Sequence, residues 1–249
     1  MKKNSKHRKN IRRKRVLKFL LLILILTLIY LFAFKTNFFH IDSIKIMGND
    51  KMSYDEILKA STYIKGENIF NISKKKGQNS LEKLPYIKKA EVKRRLPRSI
   101  IIQIVEREEV AIIPYIGAFV YIDEEGYILS IDENKGEVEL PQIFGIELID
   151  VIPGEKLFSG DGKEAYREFI AFSKEKGLLP LMKYINFSDN NNTMIELIDG
   201  IKVAFGPLDN VKYKLSFLSK ILEDMDNKEI HAKQILLNKG DNPIVVTDD

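Results

Sequence analysis

The chain opens on a polar stretch, turns abruptly apolar, and then alternates for the rest of its length. From Phe19 to Phe34 it reads FLLLILILTLIYLFAF, with no charged residue. A helix of that length rises about 24 Å, a little short of a ~30 Å hydrocarbon core. Val16 and Leu17 lengthen it, and Lys18 and Lys35 can lay their methylenes along the core while their ammonium groups reach the headgroups. The pattern predicts one transmembrane helix over residues 16–35. A cleavable leader would carry a shorter apolar run and a small-x-small site after it. The sequence FAFKTNFF offers no such pair, so the segment reads as an uncleaved anchor.

After the anchor the periodicity predicts two blocks. In the first, Ile41–Met47 alternates like a strand, and Ser53-Tyr54-Asp55-Glu56 has the S-x-x-E form that opens a capped helix, here to about Tyr63. A second helix is predicted over Ser73–Leu84, stopped by Pro85, followed by strands at Ile87–Leu96 and Ser99–Glu106. Two helices on one face of a three-stranded sheet make a small α+β module.

The second block is mostly strand. Ala118–Ile122 and Tyr127–Ile131 flank Asp123-Glu124-Glu125-Gly126, a hairpin signal. A helix headed by Asp161 runs to about Lys176, with Ala165, Tyr166, Phe169 and Ile170 facing inward. Strands come next at Tyr184–Phe187, Thr193–Ile198 and Ile201–Phe205, the last two joined at Asp199-Gly200. The helix Asp209–Asp226 repeats Val211, Leu215, Leu218, Leu222 and Met225, a stripe that suits packing on a sheet better than a coiled coil. Apolar runs Gln234–Leu237 and Pro243–Val246 end the pattern.

Charge adds direction. The first 35 residues hold 11 Lys and Arg and no acid, so the remaining 214 carry 29 basic and 35 acidic groups. Ten of the basic residues lie in Met1–Lys18 and only Lys45 and Lys51 fall in the twenty residues after Lys35. The positive-inside bias therefore leaves residues 1–15 as a basic cytoplasmic tail and puts the bulk outside, a type II topology. The basic pI belongs to the tail, and no nucleic-acid partner is expected of the body.

Composition removes most chemistry. With no Cys, disulfides, thiol nucleophiles and iron–sulfur clusters are excluded, and His7, His40 and His231 are too few for a multi-histidine metal site. No phosphate-binding loop, HExxH or G-x-S-x-G occurs. Asp123, Glu124 and Glu125 read as solvated acids of a turn, and Arg107 among Glu106, Glu108 and Glu109 as a surface charge cluster. No cofactor, metal or small-molecule substrate is expected, and the chain reads as an anchored extracytoplasmic binding protein. The competing reading is an anchored cell-wall-modifying enzyme with two carboxylates about 5–9.5 Å apart in a cleft.

The run from Leu84 through Pro97, LPYIKKAEVKRRLP, followed by Ile100–Val105 and Glu106-Arg107-Glu108-Glu109-Val110-Ala111, resembles the FtsQ/DivIB family of bacterial cell-division proteins. So do Phe39-His40-Ile41, Gly48-Asn49, Gly66–Phe70, the hairpin Phe119–Leu129, Leu140-Pro141 with Gly145, and Gly200–Gly206 with Tyr213-Lys214-Leu215. The resemblance implies a POTRA domain over 38–107 and an FtsQ/DivIB-type β domain over 108–246. It implies a non-enzymatic divisome scaffold at the septum that binds small single-pass coiled-coil proteins of the FtsB/DivIC and FtsL types and helps regulate septal peptidoglycan synthesis. The last strand departs from the family: its acidic and Arg positions are not matched in Gln234–Lys239. A C-terminal strand can still recruit a partner strand through its backbone, which needs apolar alternation more than polar side chains. The expected docking residues are Ile235, Leu236, Leu237, Asn238, Lys239, Pro243, Ile244 and Val245.

Overall fold

The computed structural model describes residues 3–247 except 137, 159, 161, 240 and 241, with side chains from residue 12 onward. The chain is a mixed α+β protein of two compact units, Met1–Glu82 with Lys89–Val105 and Lys83–Lys88 with Glu106–Asp249.

The first unit begins with α1 (Lys3–Lys35), one continuous helix whose Arg12–Lys35 portion is long and apolar enough to cross a membrane and buries none of its window against the protein. Its end is tied to the folded body after it. The buried Asn68 donates from Nδ2 to the Ala33 carbonyl at 2.7 Å, satisfying one of the carbonyls that a helix C-terminus leaves open.

Strand β1 (Ser43–Met47) leads to α2 (Tyr54–Ser61). There the anticipated capping box forms: Glu56 N–H donates to Ser53 Oγ at 3.3 Å, and Ser53 N–H donates to Glu56 Oε2 at 2.9 Å. Helix α3 (Lys74–Leu81) is capped by Ser73 and ends three residues short of Leu84. A Cβ on its Gly77 would sit 2.0 Å from the Tyr63 hydroxyl, so only glycine lets that ring lie across the helix. Strands β2 (Ile87–Arg95) and β3 (Ser99–Glu106) complete a sheet of order β1-β3-β2, with β1 parallel to β3 and Ser43 opposite Ser99. Ile100, Ile102 and Ile104 alternate inward with Ile44, Ala90 and Val92, and Ile57 and Leu81 of the helices close that core.

The second unit holds one nine-stranded sheet of order β12-β11-β10-β9-β8-β7-β4-β5-β6. Its strands are β4 (Ala111–Tyr115), β5 (Ala118–Ile122), β6 (Ile128–Asp132), β7 (Gln142–Phe144), β8 (Met182–Asn186), β9 (Thr193–Leu197), β10 (Lys202–Gly206), β11 (Ala232–Leu236) and β12 (Ile244–Thr247). Helix α4 (Glu164–Glu175) precedes β8, and α5 (Val211–Asn227) lies between β10 and β11. Phe169 and Ile170 of α4 and Val211, Leu215, Leu218 and Met225 of α5 are buried in one core with Ile143, Ile185, Val203 and Ile235 of the strands. The α5 stripe is therefore core, as its length argued, and Leu222 packs at its margin.

Two strands escaped the periodicity. Residues Ala111–Tyr115 form a strand inside the sheet, where an unalternating apolar run is what burial on both faces produces, and Gln142–Phe144 is too short to alternate. Helix α4 starts at Glu164 behind Lys163, which makes no side-chain cap, and Asp161 lies outside the described residues.

Candidate functional site

Residues Gln234–Val246 do not form one extended docking strand; they fold as a hairpin, β11 against β12. Strand β11 runs parallel to β10, pairing Val203 with Ile235, and antiparallel to β12, pairing Ile235 with Val245 and Leu236 with Ile244. Ile235 and Leu237 are buried in the core, and Leu237 N–H donates to the Ala204 carbonyl at 2.8 Å. Those two residues hold the sheet together. Leu236 and Pro243 are half-buried, and Asn238 and Lys239 are exposed in the connection. The Asn238 amide reaches Asn192 Oδ1 at 3.0 Å. The correction has a plain cause: two short apolar runs do not by themselves reveal that they pair with each other and that the first is flanked by a strand on both sides.

The open edge is β12. Ile244, Val245 and Val246 are 47%, 36% and 40% exposed, and among the described residues no strand pairs with β12 on its outer side. The opposite edge is treated differently. Beside β6, Ile128 N–H donates to the Glu155 carbonyl, Gly154 N–H to the Ile128 carbonyl and Leu157 N–H to the Gly126 carbonyl, so a loop covers the start of that strand. Among the described residues nothing covers the apolar, uncharged edge of β12, and that is the arrangement natural sheets avoid unless something adds to it.

A cleft of about 490 Å³ adjoins the hairpin, lined by Tyr213 and Phe217 of α5 together with Leu237, Asn238 and Pro243. The Tyr213 and Phe217 rings meet at a tilt, 5.1 Å between centroids, and Tyr213 is exposed. Neither was among the expected docking residues. Their signal was available: an i, i+4 aromatic pair standing off the Val211–Leu215–Leu218 stripe.

A second cluster overturns the reading of the acidic turn. Asp123 is fully buried and ion-paired with Arg107, which is itself buried. The other Asp123 oxygen accepts from the Glu125 and Tyr127 amides at 2.9 and 2.8 Å, and the Arg107 guanidinium stacks 3.6 Å above the Tyr127 ring. Arg107 and Asp123 thus belong to the interior of the second unit and not to its surface; the shared run of charges in the sequence hid which ones face inward. Around them Lys88 pairs with Glu124 and Glu125 at 2.8 and 2.9 Å, and Lys174 pairs with Glu108 and Glu124. Hydrogen bonds donated by Lys88 to Glu124 and Glu125 push its pKa up to about 12. Burial opposes ionisation of Glu124, yet its bonds to Lys88 and Lys174 outweigh it and hold that carboxyl below its ordinary range. The Lys88 hydrogen bond lowers Glu125 against a smaller burial penalty. Carboxylates held ionised by neighbouring lysines are poor proton donors, so Glu124 and Glu125 do not suit the role of general acid.

Residues 39–107 match the FtsQ-type POTRA domain. The chain is 28% identical over 229 residues to the cell division protein DivIB of Clostridium tetani, covering 90% of this chain and 85% of that one. It is 25% identical over 198 residues to the cell division protein FtsQ of Syntrophotalea carbinolica, covering 78% and 69%. Residues 39–107 thus form an FtsQ-type POTRA domain, and the chain is similar over most of its length to the FtsQ and DivIB cell division proteins. Its order of elements, an apolar N-terminal helix, a POTRA domain and a mostly β unit, is the one that the resemblance to FtsQ and DivIB led us to expect. A solved structure, the major extracytoplasmic domain of DivIB from Geobacillus stearothermophilus, aligns with 49% of this chain and 96% of its own at 16% identity and a TM-score of 0.33. The similarity to FtsQ and DivIB supports a role in cell division, and among the described residues one helix is long and apolar enough to cross a membrane.

Proposed function

We propose that this protein is a non-enzymatic scaffold of the divisome, held in the cell membrane at the septum with its N-terminus in the cytoplasm and both folded units outside. Its basic tail over 1–15, anchor over 16–35, POTRA domain over 38–107 and β domain over 108–246 are the working parts. The β domain binds the extracytoplasmic segment of a small coiled-coil partner of the FtsB/DivIC type, and through it one of the FtsL type, so that septal peptidoglycan synthesis is regulated where the partners assemble.

The observation that carries this reading is the bare apolar edge of β12 beside the Tyr213–Phe217 cleft. A partner strand laid along β12 gains backbone hydrogen bonds from the edge, and an apolar side chain next to it has the cleft to fill. Of the expected docking residues, Ile244 and Val245 supply the edge, Asn238, Lys239 and Pro243 its border, and Ile235, Leu236 and Leu237 the support behind it. The orientation is tested by a reporter fused after Asp249 that is active only outside the cytoplasm. Activity there, together with co-purification of a small coiled-coil division protein from growing cells, supports the reading. Reporter activity confined to the cytoplasm refutes it.

A further inference from the structure

The anchor does not end in a free linker. Phe32 and Phe34 of α1 meet the residues beyond the helix in a continuous aromatic cluster: Phe32 lies 5.3 Å from Phe38, Phe38 4.9 Å from Phe39, Phe39 4.9 Å from Phe70, and Phe34 5.8 Å from Phe70. Ile69 N–H donates to the Phe39 carbonyl at 2.9 Å, and Asn68 bonds the last turn of the helix. Phe70 is therefore held at the point where the chain leaves the bilayer. Large aromatic rings are favoured at that depth, between hydrocarbon and water.

The chain just beyond Phe70 is basic. Asn71 is exposed, Ser73 caps α3, and Lys74, Lys75 and Lys76 stand exposed in its first turn. Arg94 comes to the same place, donating to the Ile72 carbonyl at 2.6 Å. Three lysines at the positive end of a helix, with no acid in that turn, are unfavourable for the helix itself. An anionic surface against them would offset that cost. The charge of the chain points the same way: residues 39–107 carry 15 basic and 8 acidic groups, whereas residues 108–249 carry 14 and 27. Attraction to an anionic surface is thus confined to the part of the body joined to the anchor.

We propose that the POTRA unit rests on the membrane that α1 crosses, with Phe38 and Phe70 in the interface and Lys74, Lys75 and Lys76 against anionic lipid headgroups. The proposal rests on α1 being a membrane crossing and holds whichever side the unit faces. Each lysine near an anionic surface favours the docked state about fivefold, so three favour it on the order of 100-fold, and the effect fades beyond a Debye length of about 8 Å at physiological salt.

The chain has no Trp, so one introduced Trp reports without background. The full chain is reconstituted into nanodiscs of phosphatidylglycerol or phosphatidylcholine containing brominated lipid, with a single reporter at Asn71→Trp, Leu26→Trp or Ile149→Trp. Leu26 lies in the anchor, and Ile149 is exposed in the second unit. The proposal expects strong quenching of Leu26→Trp in both lipids and none of Ile149→Trp. It expects blue-shifted, quenched emission from Asn71→Trp in phosphatidylglycerol that falls sharply in phosphatidylcholine and after Lys74, Lys75 and Lys76 are all changed to Gln. Quenching of Asn71→Trp no greater than that of Ile149→Trp, or quenching indifferent to lipid charge and to the three lysines, would overturn it. An unquenched Leu26→Trp would overturn the anchor itself and the proposal with it.

Discussion

Asp123→Ala tests whether the buried pair is a structural keystone of the second unit. The substitution leaves the Arg107 guanidinium buried without its counter-charge and strips the Glu125 and Tyr127 amides of their acceptor. Removing one partner of a buried pair costs about 3–5 kcal/mol, because the remaining charge is uncompensated. For a chain of this size each kcal/mol lowers the melting temperature by roughly 2–4 °C, so the expected fall is about 6–20 °C. Thermal unfolding of the full chain in detergent, followed by circular dichroism, reads it. The double variant Arg107→Met with Asp123→Ala removes the stranded charge and should recover part of the loss. If Asp123→Ala melts within about 2 °C of the parent, or the double variant melts lower than the single ones combined, the pair is not buried as described.

Two more outcomes rest on named contacts. Glu124 and Glu125 have folded pKa values below their unfolded ones, so their stabilisation is fully present above about pH 4.5 and is lost as pH falls through the folded values. The melting temperature should therefore drop on acidification below that point, and less so in Lys88→Met, where the lowering is relieved. Ser53→Ala breaks the capping box of α2 and should cost about 0.5–2 kcal/mol in denaturant unfolding, with the slope unchanged.

Local chemistry made much of the first unit legible. The S-x-x-E signal names a real cap because both of its hydrogen bonds lie within four residues, and Ser99–Glu106 alternates because only one of its faces is buried. The features that stayed hidden depend on distant partners. Arg107 and Asp123 lie sixteen residues apart among other charges, and nothing local says that these two turn inward. Ala111–Tyr115 lost its alternation to burial on both sides, and the two apolar runs Gln234–Leu237 and Pro243–Val246 look alike in sequence although the first is flanked by strands on both sides and the second is edge. Of the expected docking residues, Ile244 and Val245 lie on the open edge, whereas Ile235 and Leu237 lie in the interior. Leu237→Pro illustrates the difference: it would remove the bond to Ala204 and disturb the sheet, so it cannot report on docking alone.

The central claim is that β12 is where a partner strand adds. The decisive measurement is the affinity of the full chain in detergent for the extracytoplasmic segment of an FtsB/DivIC-type partner, before and after deletion of residues 244–249, with the fold of the remainder checked by circular dichroism. Three or four backbone hydrogen bonds at roughly 0.5–1.5 kcal/mol each amount to about 2–6 kcal/mol, or some 30-fold to 10⁴-fold in Kd. A folded deletion variant weakened by that much, with Tyr213→Ala weakened to a smaller degree, is the predicted result. A folded deletion variant that binds as tightly as the parent would contradict it and place the docking surface elsewhere on the protein.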